Sequence, residues 1–267
     1  MVDYIFSLNS SNEAIKHIQD QGFAVLEDVF SNELMNNATV ELESAIEKEA
    51  KFHGTTSFKD YAMLLACPLY GGIFIELLNN ENLWIPFNDL LDPTCITYVY
   101  TSSSMPPKSS NYSKRIHVDR PHYNPNMLEF LGCLICVSDF NAENGGTWIL
   151  PKSHKLDEKP TEKFFYENAI QIECKKGSVL YFNLRIWHAG GHNTTSKWRH
   201  ALGIGMCKPY FKQRIDLPRA IPPSIAANFT ELVKQKLGYN AQSPTSLNEF
   251  YAPLENRTYK EKSEWDK

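Results

Sequence analysis

Leu128-Glu129-Phe130-Leu131-Gly132-Cys133-Leu134-Ile135-Cys136-Val137 is a ten-residue run with a single charge, and its reading decides the fold. Runs this short, apolar and β-branched read as buried strands rather than helices. Similar β-rich runs recur at 95–100, 147–150, 169–173, 179–182 and 199–207. Between two of them lies Glu143-Asn144-Gly145-Gly146. Asn-Gly tolerates the positive φ of a type I′ turn, so a hairpin is expected there. Many short strands joined by polar turns predict two packed sheets rather than βαβ units. The expected fold is mainly β with flanking helices, around a double-stranded β-helix (jelly-roll, cupin-like) core.

Working outward, residues 1–92 read as mainly helical support. Ser10 and Glu13 form a capping-box pattern, Ala14, Ile15 and Ile18 follow as an apolar stripe, and Gly22 ends the helix. Phe23-Ala24-Val25-Leu26 is a short strand. Ser31 opens a second helix to about Ala50, with Leu34, Ala38, Leu42, Ala45 and Ile46 at helical spacing. Further helices are expected over 57–66 and 69–91. After Pro209 a helix is expected from Ser224 to Leu237, closed by Gly238, and then an irregular tail. Without a long linker or repeat, 1–267 reads as a single domain: support over 1–92, core over 93–210, helix and tail over 211–267.

Composition narrows the function. A formal net charge of −4 lacks the concentrated Lys and Arg that phosphate backbones demand, so no nucleic-acid partner is expected. No stretch reaches the roughly twenty apolar residues of a membrane span. Met1-Val2-Asp3-Tyr4-Ile5-Phe6 does not look like a signal peptide, and the last residues are not a peroxisomal Ser-Lys-Leu signal, so a cytoplasmic protein is expected. A small-molecule substrate fits better. Oligomeric state is not legible. Six cysteines, at 67, 95, 133, 136, 174 and 207, sit in apolar context. Cys133 and Cys136 look like a CxxC pair, but residues three apart on a strand face opposite ways, so buried free thiols are expected.

The chemistry concentrates in two places. His117-Val118-Asp119 follows a basic loop at 105–113, and Trp187-His188-Ala189-Gly190-Gly191-His192-Asn193 precedes Arg199 by a short interval. Residues two apart at a strand end leave the same face, so His117 and Asp119 can converge on one metal. A third ligand must come from another strand, and His188 is the preferred candidate, with His154 and His192 as alternatives. Two imidazoles and one carboxylate are the facial triad of mononuclear non-haem iron(II) oxygenases, which leaves coordination positions open for a cosubstrate and dioxygen. Arg199 can grip a carboxylate through two parallel hydrogen bonds. Tyr98, Tyr100, Arg120 and Arg185 are further residues to inspect. Lys108, Lys114, Arg115 and Arg120 read either as a solvated basic loop or as recognition of an anionic substrate.

These motifs resemble the phytanoyl-CoA dioxygenase family of iron(II)/2-oxoglutarate oxygenases. The likeness runs through His117-x-Asp119, the turn at 139–146, Pro151-x-Ser153-His154, the run at 177–182, Trp187-His188-Ala189-Gly190-Gly191-x-Asn193 and Arg199. It implies that His117, Asp119 and His188 bind Fe(II), that Arg199 binds the distal carboxylate of 2-oxoglutarate, and that O2 is consumed. The expected reaction is hydroxylation of an unactivated C–H, with release of succinate and CO2. A metal-binding jelly roll without that activity is the alternative. Two departures stand out. Val118 lies where the phytanoyl-CoA enzyme has Gln, and Gly190 where members often have a Ser that helps hold 2-oxoglutarate. Asp119 speaks against a halogenase, in which a small residue replaces the carboxylate.

Overall fold

A computed structural model describes residues 3–53, 63–122, 124 and 126–257. Its strands are β1 (Ile5–Phe6), β2 (Phe23–Leu26), β3 (Ile96–Ser102), β4 (Phe130–Cys136), β5 (Trp148–Ile149), β6 (Ile170–Gln171), β7 (Val179–Asn183), β8 (His188–Ala189) and β9 (Ala201–Cys207). Six of them form one sheet in the order β1-β2-β7-β4-β9-β3, and three form a second in the order β6-β5-β8. Only β1–β2 is parallel; the other pairings are antiparallel. This is the expected cupin-like architecture.

The apolar run that opens the sequence argument is β4, the inner strand between β7 and β9. Leu131, Cys133 and Ile135 pack toward the helices, while Phe130 and Cys136 belong to the core between the sheets. Burial on both faces explains why the run shows no polar alternation. Cys133 and Cys136 therefore diverge as expected, and all six cysteines are free and buried. On β9, Leu202, Ile204 and Met206 face the helices, whereas the sandwich side carries Ala201, Gly203 and Gly205. Those small residues leave the interior hollow. A Cβ at Gly205 would come within 3.0 Å of Val99 Cγ1, so bulk there would close the space.

Helices α1 (Ser11–Gln21) and α2 (Asn32–His53) cover the large sheet. The Ser10 capping box does not form: a 3-10 turn over Leu8–Ser10 precedes α1, and Ser10 Oγ meets Ser7 Oγ at 3.2 Å instead. Gly22 does end α1, at φ 92°. Ser31 Oγ accepts the Leu34 amide and starts α2 as read. The helical stretch expected over 69–91 consists of 3-10 turns and two short helices, α3 (Ile73–Glu76) and α4 (Ile85–Leu90). Gly71 and Gly72 at positive φ precede α3, Asn80 with extended backbone (ψ 109°) divides the stretch, and Pro86 sits in the first turn of α4. Most of the helix expected over 57–66 lies outside the described residues.

Helix α5 (Glu162–Asn168), capped by Thr161, was not foreseen. Beyond β9 lies a short helix α6 (Leu217–Ala220), and α7 (Pro223–Ala226) and α8 (Glu231–Leu237) replace the one helix expected from Ser224 to Leu237. Thr230 caps α8 and Gly238 closes it at φ 89°. The tail read as irregular carries α9 (Leu247–Phe250), capped by Ser246. The Glu143–Gly146 segment is not a type I′ hairpin, because β4 and β5 lie in different sheets. Only Gly145 there has positive φ, and the Asn144 side chain ties the segment to Asn141 and Asp139. No helix among the described residues is long and apolar enough to cross a membrane.

Candidate active site

His117 and His188 face each other across an isolated antiparallel bridge. Each amide donates to the other's carbonyl, at 3.0 and 2.9 Å, and the two rings lie 4.2 Å apart. The third group follows within two residues: the Asp119 amide donates to Leu184 O at 2.9 Å, which fixes where its carboxylate points. His117 Nε2 is 3.5 Å from Asp119 Oδ1, and His188 Nε2 is 3.9 Å from Asp119 Oδ2. All three ligand atoms fall within 4.8 Å of one another.

The tautomers are set by second partners. His117 Nδ1 lies 2.7 Å from Arg115 O, and His188 Nδ1 lies 3.0 Å from Ile186 O. A carbonyl only accepts, so both Nδ1 atoms carry hydrogen and both Nε2 lone pairs are left for a cation. Adjacent ligands on a cation with bonds of about 2.1 Å sit roughly 3 Å apart, so modest side-chain rotation closes the observed spacing. The donor set fits Fe(II). Burial, reinforced by the His117 charge, lowers the His188 pKa to about 4, which keeps that ring neutral. Burial alone would raise the Asp119 carboxyl, but His188, His117 and Arg214 outweigh it and keep it ionised.

These groups line a cavity of about 480 Å³, which also holds Arg199. Arg199 is 1% exposed, yet its Nε and Nη1 have no hydrogen-bond partner among the described residues. Its guanidinium lies 4.4 Å above the Phe140 ring. Burial, which outweighs the effect of the neighbouring Cys136 and Cys174 thiols, lowers its pKa to about 10. It nevertheless remains a cation near neutrality, and an unpaired buried cation is costly. A carboxylate arriving through the cavity would satisfy it.

The other histidines are elsewhere. His154 is buried and packs against Gly22, His192 Nδ1 meets Ser110 Oγ at 2.9 Å, and His200 Nδ1 meets Ser104 Oγ at 2.8 Å. Among the further residues read from the sequence, Tyr98 and Arg120 line the cavity. Tyr100 is in the helix-side core, and Arg185 bonds to Asp157 and to the carbonyls of His154 and Leu156. Sequence reasoning missed Arg214 and Ser113, both of which line the cavity. Arg214 follows the last strand in a segment without periodicity, so nothing local marks it.

The basic loop lies along the site. Met105 pairs with Arg199, Ser109 pairs with Asn193, and the Gly190 amide donates to Ser113 O at 2.8 Å. This accounts for Gly190: a Cβ there would stand 2.4 Å from Ser113 Oγ and 3.1 Å from Met105 Cε. Ser113, from the loop, occupies the space a side chain at 190 would need.

The sequence model described as Phytanoyl-CoA dioxygenase (PhyH) matches residues 75–201. Rv1501, an uncharacterized protein of Mycobacterium tuberculosis, is 25% identical, with 94% of this chain and 96% of that one covered. The dioxygenase trt7 of Aspergillus terreus is 21% identical, with 86% and 84% covered. Among solved structures, AviO1 from Streptomyces viridochromogenes superposes with a TM-score of 0.60 at 20% identity, covering 75% of this chain and 96% of that one. HygX from Streptomyces hygroscopicus, with nickel and 2-oxoglutarate bound, gives 0.58 at 16% identity, covering 75% and 88%. The matched segment contains both histidines of the pair, Asp119 and Arg199. Over residues 75–201, a little under half of its length, the chain is similar to the phytanoyl-CoA dioxygenase family, and it is a non-haem iron- and 2-oxoglutarate-dependent dioxygenase.

Proposed function

We propose that this dioxygenase hydroxylates an unactivated C–H of a small molecule, with 2-oxoglutarate converted to succinate and CO2. The observation that carries the reading is the joint presence, in one cavity, of the His117–Asp119–His188 cluster and a buried Arg199 with unpartnered nitrogens. His117, Asp119 and His188 would hold Fe(II) as a facial triad. When bound, iron and 2-oxoglutarate supply the oxidising chemistry, by which one oxygen atom of O2 enters succinate and the other the substrate.

The chain's own residues do the positioning. Arg115 O and Ile186 O fix both imidazoles, with Nε2 directed inward. Arg199 would take the distal carboxylate of 2-oxoglutarate in a paired hydrogen bond, made strong by burial. Ser113 and Met105 close the wall behind Gly190 and limit water at that side. Val118 and Leu184 line the same cavity and would contact the substrate or cosubstrate.

Succinate formation from 2-oxoglutarate under air, with and without Fe(II), tests the reading. Turnover should require the metal. His117→Ala and His188→Ala should each abolish it together with metal uptake, and full turnover in either variant would remove that residue from the site. A protein that binds metal yet forms no succinate would instead be a binding module.

A further inference from the structure

Three guanidiniums besides Arg199 line the cavity, those of Arg115, Arg120 and Arg214. Among the described residues, Asp119 is the single acidic side chain in that lining. No salt bridge among the described residues involves Arg115, Arg120 or Arg214. Arg120 is held by soft contacts instead. Its Nη1 donates to Tyr98 Oη at 3.0 Å, and its guanidinium stands 5.0 Å from the Tyr98 ring centre and 4.3 Å from that of Phe130. Its Nε is buried with no hydrogen-bond partner among the described residues.

A bulge in the edge strand brings Arg214 to the same wall. The β3–β9 register shifts between Thr97 and Val99, so Tyr98 has no partner on β9. Its carbonyl accepts the Arg214 amide at 3.0 Å, which anchors the chain after β9 beside Arg120. Arg214 acts on Asp119 through its charge, placing it within electrostatic reach of the metal cluster. Bulges of this kind re-aim side chains beside active sites.

Charge accounting then separates these arginines from the cofactors. A divalent cation, the Asp119 carboxylate, a doubly charged 2-oxo acid and Arg199 together come to zero. Arg115, Arg120 and Arg214 are left over, on the wall of a cavity that also carries Met63, Leu65 and Val99. We infer that the substrate is an anion, carrying a carboxylate or phosphate that Arg120 and Arg214 receive, with an apolar body against the Met63–Leu65–Val99 wall. This rests on the dioxygenase reading above. Arg120 also lines a second cavity of about 400 Å³, which shares Leu184 with the first, so longer substrates have room to continue past it.

The experiment loads the protein with Ni(II) and radiolabelled 2-oxoglutarate, then titrates octanoate, octyl phosphate, octan-1-ol and octylamine calorimetrically. At least one of the two anions should bind with 2-oxoglutarate retained, and whichever binds tighter names the headgroup. The alcohol and amine should bind on the order of tenfold more weakly or not at all. Arg120→Gln and Arg214→Gln should each weaken the anion on the order of tenfold and leave 2-oxoglutarate affinity unchanged. Exposed Arg214 carries the test if Arg120→Gln, which loses two ring contacts, lowers the melting temperature.

Four results would overturn the inference: no binding of either anion, equal binding of the alcohol or amine, displacement of 2-oxoglutarate by the anion, or wild-type binding in a stably folded Arg214→Gln. Failure of the dioxygenase reading is separate. It would appear as no uptake of 2-oxoglutarate and no succinate, while titration of the unloaded protein still reports on Arg120 and Arg214.

Discussion

Arg199 keeps its charge in a place where no acidic side chain among the described residues pairs with it, and that gives opposite signs to two effects of one substitution. In Arg199→Met, 2-oxoglutarate affinity should fall by on the order of a hundredfold, because a paired charge-assisted bond is lost. The ligand-free protein should melt at the same temperature or higher, because a buried cation without a counter-ion is replaced by an apolar chain of similar length. Calorimetric titration and thermal melting read the two effects independently. A large loss of stability would mean that Arg199 is structural.

His154 gives the pH prediction at the same scale. Burial, with the Lys155 charge adding to it, lowers its pKa from 6.5 to about 4. The unfolded chain therefore binds a proton between those values while the native protein does not. Native stability should be fully present above about pH 6.5 and decline as pH falls toward 4, by at most about 3 kcal/mol from this residue. Urea titrations at pH 7 and 5 should show the loss, and His154→Leu should reduce it, leaving the part due to His188, whose pKa burial lowers to the same value. An unchanged slope in that variant would remove His154 as the source.

At the scale of elements, β8 is only two residues long, so its position depends on what packs around it. Gly191, two residues past it, packs mainly on backbone: a Cβ there would lie 2.7 Å from Gly146 O and 2.8 Å from Gly145 Cα, with Gln171 Nε2 at 2.9 Å. Backbone cannot rotate aside, so Gly191→Ala should push the His188 segment away from the 145–146 turn. Metal affinity should fall at least about tenfold, read by Ni(II) titration, with most helical signal retained. Gly203→Ala, whose Cβ would meet nothing nearer than 3.4 Å, is the tolerated comparison. The Asn144-Gly145-Gly146 sequence marked a turn correctly, but its service is to connect two sheets and to seat β8.

Across the whole molecule, one cluster of buried side chains runs from Ala14 on α1, through Trp84 and Tyr181, to Leu237 on α8. That continuity joins the three segments read from the sequence, and we expect them to unfold together as one domain. Circular dichroism and tryptophan fluorescence should give coincident transitions, whereas separated midpoints would divide the chain. Ni(II) with 2-oxoglutarate, binding only the native form, should raise the midpoint by several degrees at concentrations about a hundredfold above Kd.

The sequence by itself determined most of the strands and the mainly β, cupin-like architecture, and it pointed to the residues of the candidate site. Apolar runs such as 128–137 have no stable place except between two covered faces, and His117, Asp119, His188 and Arg199 are residue types with a narrow range of shared uses. It could not determine which histidine would meet His117, since His154 and His192 carry the same ring and differ only in where long-range pairing leaves them. Nor could it foresee the division of the helical stretch over 69–91, where Asn80 adopts extended backbone and accepts the Asn82 amide with its side chain. Tertiary structure alone decided that Ser113 fills the space beside Gly190. It alone also brought Arg214 next to Arg120, through a bulge at Tyr98. Both are contacts between segments remote in sequence, set by backbone pairing that no local pattern of side chains records.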